Sequence, residues 1–438
     1  MKTPAPALRT SLKAAALAAS LSISALSTYA TTYTFNGTTN SDWATTTNWS
    51  TGIAAPTNGT FGHRVDINGA LIYSAAQGNT TYTSTARSFV ISNGGSLTIT
   101  GGHFTSNNTN SSADILGNST ASTSLTVNGG NYTSNALFFN NSNSAATIAL
   151  NIQSGTATIN TLTVQGPATS TSTVNLDGGT LAVTTLTASG LGSKTLNFNG
   201  GVLKARSSAL NVQGFTNTFV KSGGAVIDTN GFNPTVTQAL LTDTVSTGGG
   251  LTKSGTGTLT LSGANTYTGA TTINTGTLAI ASTGSLASTA YTIADGAAFN
   301  ASAKSSYSLA SVATTIHVGA TTSGFFNGPS GALTFGNTLT LNFSTASLAD
   351  GQTYNLFDFG SQTGDFSSIA LTGSITGSLL LTSTDTWTGS LSGYEFTFSE
   401  TSGVLSVAAI PEPSTYAMAA GLGALVLTAG NRRRRSAA

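Results

Sequence analysis

The chain has 438 residues, 39% hydrophobic and 7% charged, with 51 glycines and no cysteine. That apolar content excludes a chain held open by its own charge, and the missing cysteine excludes disulfide stapling and a thiol nucleophile. The formal net charge of +1 hides an uneven distribution: three of the fifteen Lys and Arg lie in the first 13 residues and four in the last seven, so residues 31–410 carry eight basic against thirteen acidic groups, about −5, and lack the basic footprint of nucleic-acid binding.

Lys2, Arg9 and Lys13 precede the apolar stretch Ala14 to Leu26, and small residues lead to Ala30. This order predicts residues 1–30 as a Sec-type signal helix cleaved after Ala30. Residues 31–89 are expected to form an N-terminal β cap, since the first coil of a stack must hide its open strand edge. Trp43 and Trp49 fall in this cap and are expected in its core, the alternative being a pair on which a sugar stacks.

Over residues 90–305 glycines recur at Gly130, Gly155, Gly179, Gly201, Gly224, Gly250 and Gly276, in steps of 25, 24, 22, 23, 26 and 26. Two residues after the glycine come Ala157, Leu181, Leu203, Val226 and Leu278; three before come Val127, Ile152, Leu176 and Phe198. The positions between are mostly Thr, Ser and Asn. Alternation of period two on both sides of a glycine bend predicts strands with one buried face. The step is too long for a simple hairpin and suits one coil of a right-handed parallel β-helix. Gly130, Gly224 and Gly250 are followed by polar residues at the inward positions and are expected to mark irregular coils. A β-sandwich of hairpins is the competing architecture. The stretch GGGLTKSGTGTLTLSGANTYTGATTINTGTLAI, residues 248–280, resembles the autotransporter-associated β-strand repeat, and the segment SDWATTTNWSTGIAAPTNG is similar to the opening of proteins built from such repeats. The resemblance implies a β-helical stalk of passenger type on a cell surface. The large membrane barrel that closes true autotransporters has no counterpart in this sequence.

From residue 306 to 408 the glycine step is lost, and alternating segments such as ALTFGNTLTLNFS predict a C-terminal β module with Trp387 in its core. Residues 409–438 differ again. Pro411 and Glu412 precede an uncharged run from Pro413 to Gly430, so that Pro411, Glu412 and Pro413 mark its start, and Arg432, Arg433, Arg434 and Arg435 follow. Eighteen helical residues rise about 27 Å, slightly short of a bilayer core of about 30 Å, and the arginines would hold the cytoplasmic side. An ordinary C-terminal membrane helix or an amphipathic surface helix would read similarly. The order Pro-Glu-Pro, short apolar helix, basic cluster resembles the sorting tail of PEP-CTERM proteins. That resemblance implies recognition by exosortase near Pro411, Glu412 and Pro413, a transient membrane anchor, and association with exopolysaccharide or biofilm matrix in a Gram-negative bacterium.

No catalytic constellation is legible. His63, His103 and His317 lack metal-ligand spacing, and no nucleophile elbow, phosphate loop or calcium-binding Gly-rich nonapeptide occurs. Between Gly130 and Gly276 the acids are Asp177, Asp228 and Asp243 and the bases Lys194, Lys204, Arg206, Lys221 and Lys253. Asp177 and Asp228 lie 51 residues apart, so two coils would bring them to about 10 Å if aligned. The overall expectation is an all-β chain: a right-handed parallel β-helix with N- and C-terminal β caps, a signal helix and one C-terminal transmembrane helix. Its expected role is structural or adhesin-like, without cofactor, metal or catalytic residues. The rival is a β-helical polysaccharide lyase or hydrolase, or a carbohydrate-binding protein.

Overall fold

A computed structural model of the chain describes residues 32–35, 46–49, 58–61, 64–74, 79–84, 89–108, 113–117, 121–139, 146–343 and 348–411. The predicted signal helix with Ala30, and the tail from Glu412 through Arg435, lie outside the described residues. Among the described residues no helix is long and apolar enough to cross a membrane. The only helical element there is a single 3-10 turn at Thr46–Asn48.

Strands stack in parallel as an all-β solenoid of right-handed type. Each coil from residue 96 to 236 lays down three strands on three faces. On the first face Ser96–Ile99 pairs with 124–127, then 149–152, 173–176, 195–198 and Asn217–Val220. On the second face His103–Asn108 pairs with 131–134, then 156–159, 180–183, Val202–Ala205 and Ala225–Asp228. The third face carries 137–139, 161–164 and 185–188, and resumes at Asn211–Val212 and Thr235–Val236. Among the described residues of this body the strand pairs are parallel, not the facing antiparallel sheets of a β-sandwich.

The predicted alternation is what packs it. On the first face Leu97, Leu125, Leu150, Val174 and Leu196 are register partners, and all are fully buried. Two residues further along, Ile99, Val127, Ile152, Leu176 and Phe198 form a second buried column. One coil cannot enclose these side chains, so each needs its neighbour above and below. The glycines permit the close turns. Gly155 has φ +76, and a Cβ there would overlap the carbonyl oxygen of Gly130 one coil back, a place where L side chains are excluded twice over.

Two parts of the glycine register are corrected. Leu203 pairs with Ile227, not Val226, so Gly224 aligns with Gly200 rather than Gly201. Ala225 and Ile227 are therefore buried and Val226 faces outward. A slip of one residue exchanges the two faces of a strand, which is why the coils at Gly224 and Gly250 looked irregular: their inward residues are Ala225, Ile227, Leu251 and Lys253. The second correction concerns Gly276. Leu251 pairs with Thr271, so the coil there shortens, and Ala270 rather than Gly276 succeeds Gly250. Gly276 succeeds Gly257 and opens a third-face strand, with Thr258 opposite Thr277 and Leu261 opposite Ile280. At Gly130 the inward positions are kept, since Tyr132 and Ser134 are buried, but the expected irregularity is present as a register shift on either side of Asn128.

Parallel stacking continues past residue 306. The second face runs on through Ala313–His317 and Thr338–Asn342 to Ser368–Thr372. The third face fills with rings: Phe299 stacks on Phe326 at 4.9 Å, and Phe326 lies 5.5 Å from Phe357. From Gly377–Ser383 onward pairing turns antiparallel, through Thr386–Leu391 and Tyr394–Ser399 to Val404–Ala409. Thr353–Asn355 also pairs antiparallel with Val404–Ala409. These strands cover the open end of the last coil, with Trp387, Phe396 and Phe398 buried against it. In the first segment, strand Thr32–Phe35 pairs in parallel with Arg64–Ile67, and Trp49 is buried edge-on to Phe35 at 5.2 Å. Trp43 is outside the described residues, and burial removes Trp49 from any sugar-stacking pair.

Candidate functional site

The outward side chains form columns that run from coil to coil. Asn197 Nδ2 donates to Asn175 Oδ1 at 2.7 Å, Asn175 Nδ2 donates to Asn151 Oδ1 at 2.7 Å, and Asn151 Nδ2 donates to Thr126 Oγ1 at 3.2 Å. Thr185 reaches Thr161 at 3.3 Å, and Ser246 reaches Ser222 at 2.8 Å. In-register pairing sets identical or similar side chains about 4.8 Å apart, the distance at which amides and hydroxyls bond to their own kind.

The second face holds a shallow open groove lined by Thr156, Thr158, Thr180, Ala182, Val202, Lys204, Val226, Asp228 and Ser254. Its floor is the outward set of five successive strands. Thr158, Ala182, Lys204 and Asp228 are register partners in turn, and Lys204 Nζ meets Asp228 Oδ2 at 3.2 Å. The one acid and one base of this groove thus neutralise each other. Arg206 bonds the Asn160 side-chain oxygen from the same strand end.

Asp177 and Asp228 are not brought together. Asp177 sits at the end of the first face, where Asn199 Nδ2 donates to it at 3.2 Å; Lys221 and Asp243, 3.7 Å apart, extend this same turn. Two of the bases are structural. Lys194 is buried, and its Nζ donates to the Gly190 carbonyl at 2.8 Å and to that of Gly192. Lys253 is fully buried; its Nζ faces Thr229 Oγ1 and the carbonyls of Ser254, Gly255 and Thr275 at 2.6–3.1 Å. Burial lowers its pKa to about 8, opposed by the charge of Asp228. His103 is exposed beside Asn131 at 3.0 Å and His317 lies on a distant strand, while His63 is outside the described residues.

Two acidic centres escaped the sequence reading. Asp114 is fully buried and accepts from Ser106 Oγ at 2.7 Å, Tyr132 Oη at 2.6 Å and Ser134 Oγ at 2.6 Å. Burial first, and then the charge of Asp114, push the Tyr132 hydroxyl well above its usual range. This network is a polar core that tethers two coils. At the C-terminal cap Asp365, Asp385 and Glu400 place carboxylate oxygens within 4.8 Å of one another. Of the predicted sorting residues Pro411 alone is described: it is exposed, directly after Ile410, whose amide still bonds the Gly393 carbonyl at 2.8 Å.

A family model for the passenger-associated-transport-repeat matches residues 251–280. The match spans about one and a half coils, from Leu251–Ser254 to the paired Thr271–Ile273 and on to Gly276–Ile280. No curated protein and no solved structure matches the chain. The body is a β-helical repeat protein of autotransporter-passenger type, a resemblance consistent with an exported, adhesin-like role.

Proposed function

We propose that the chain is an exported structural protein of the cell surface or extracellular matrix, whose solenoid presents its polar columns to an extracellular polysaccharide. The observation that carries this reading is the second-face groove, where Thr156 and Thr158 share one strand, Thr180 partners Thr156 one coil on, and Lys204 and Asp228 neutralise each other. Single hydroxyl contacts are weak, but their repetition on a rigid rod gives avidity. The balanced charge suits a neutral glycan. Sorting belongs to the same proposal. The exported body passes through the inner membrane, is held transiently by the apolar tail with Arg432, Arg433, Arg434 and Arg435 on the cytoplasmic side, and is processed by exosortase at Pro411, Glu412 and Pro413. Its destination is the surface or biofilm matrix of a Gram-negative cell.

Binding is tested by co-sedimentation of the full chain with a panel of insoluble polysaccharides. At least one neutral glycan should retain the wild type, and Thr156→Glu with Thr180→Glu should reduce that retention several-fold. Retention by no glycan, or equal retention of the variant, removes the groove from the proposal. Release of reducing ends or unsaturated products in the same assay would assign a polysaccharide-cleaving enzyme instead. Sorting is tested by mass spectrometry of the mature C-terminus. Pro411→Ala with Pro413→Ala should leave an unprocessed, membrane-retained chain, and unchanged processing would end the exosortase assignment.

A further inference from the structure

The acidic cluster at the C-terminal cap joins two different parts of the fold. Asp365 follows the last-coil strand Ser361–Thr363, Asp385 occupies the turn between Gly377–Ser383 and Thr386–Leu391 with φ +59, and Glu400 directly follows Tyr394–Ser399. Asp365 is exposed and Asp385 half-buried, whereas Glu400 is fully buried. Glu400 Oε1 accepts from the Phe366 amide at 2.8 Å and from Trp387 Nε1 at 3.0 Å. Its Oε2 is shut off from solvent and has no hydrogen-bond partner. A buried carboxylate oxygen left so is costly unless something positive meets it. Beside it, Gln362 donates from Nε2 to Asp385 Oδ1 at 2.8 Å, while its own Oε1 is likewise enclosed and unpartnered.

Among the described residues no lysine or arginine is paired with these carboxylates. From residue 305 to residue 431 the sequence has no lysine or arginine, yet residues 305–411 hold Asp350, Asp358, Asp365, Asp385, Glu395 and Glu400. Calcium holds oxygen ligands at about 2.4 Å, and the three carboxylates place oxygens within 4.8 Å of one another, close enough for all three to reach one ion.

We propose that Asp365, Asp385 and Glu400 bind a calcium ion that fastens the antiparallel cap to the last parallel coil. Two carboxylates come from the cap and one from the coil. The Gln362 amide oxygen is a fourth donor within reach, and the exposed Asp365 side leaves room for water. The ion would act as a staple in a chain without disulfides, where calcium is plentiful outside the cell. The alternative state of the same cluster is a proton shared between Glu400 and Asp365.

Trp387 makes the test direct, because its indole already contacts Glu400 and can transfer excitation to a lanthanide in the site. The full chain, stripped with EDTA, is titrated with Tb3+ while tryptophan is excited. Sensitised terbium emission should appear, calcium at about 1 mM should displace it, and calcium alone should raise Tm by several degrees. Asp365→Asn with Asp385→Asn should lose both signals, and Trp387→Phe should lose the emission while keeping the calcium-dependent Tm shift. Absence of emission and of a Tm shift in the wild type, their persistence in the double variant, or undiminished emission from Trp387→Phe would each overturn the assignment.

Discussion

Gly155 shows how closely one residue can be constrained by the stacking of coils. It needs a positive φ, as many turn glycines do, and it also needs empty space where the Gly130 carbonyl approaches. Gly231 needs only the first: its φ is +83, and a Cβ would meet nothing nearer than Thr256 Oγ1 at 3.8 Å. Gly231→Ala should therefore cost about 1–2 kcal/mol, the left-handed penalty alone. Gly155→Ala should cost more than about 3 kcal/mol, since backbone must also move. Urea unfolding of the two variants checks this, and equal costs would mean that the coils do not approach as closely at Gly155. The inward apolar residues around Gly155, Gly179 and Gly201 were legible from alternation alone. The slip at Gly224 was not, because Gly223-Gly224 and Gly248-Gly249-Gly250 offer more than one glycine to align, and only hydrogen bonding chooses between them. Tyr132 and Ser134 misled for another reason. They are polar yet buried, and their partner Asp114 lies 18 and 20 residues away in sequence.

At the level of elements, the outward ladders add hydrogen bonds between coils to the burial of the core. Asn175 both donates to Asn151 and accepts from Asn197 in half-buried surroundings. Asn175→Ala should lower stability by about 1–2 kcal/mol, with both neighbouring amides left short of a partner; a neutral result in chemical unfolding would show the ladder to be incidental. The C-terminal cap behaves differently with pH. Burial raises the Glu400 carboxyl to about 7, with the neighbouring Asp365 carboxylate adding to the rise. The folded chain then keeps a proton that the unfolded chain releases above about 4.3. The stabilisation from that proton is complete below about pH 4.3 and drains away as pH climbs through 7. In EDTA, Tm should fall between about pH 5 and 7, and Glu400→Gln should flatten the decline. A wild-type profile with no such decline would contradict the buried state of Glu400. The existence of C-terminal strands was readable from their alternation, but their acid cluster was not. Asp365, Asp385 and Glu400 are 20 and 15 residues apart, and only the turn from parallel to antiparallel pairing folds them together.

In the molecule as a whole, successive coils lie directly upon one another, so that display columns, core and groove are all consequences of one register. A chain without cysteine allows that register to be read covalently. Thr163 and Thr187 are outward partners in adjacent coils, and Gln213 is bridged to Thr187 one coil further on. Parallel neighbours stand about 4.8 Å apart at Cα, within disulfide reach, whereas second neighbours at about 10 Å are beyond it. The decisive measurement is peptide mapping by mass spectrometry after mild oxidation of two double variants. Thr163→Cys with Thr187→Cys should close an intramolecular disulfide in nearly every molecule, and Thr163→Cys with Gln213→Cys should close none; failure of the first pair, or equal closure of both, would contradict the stacked solenoid.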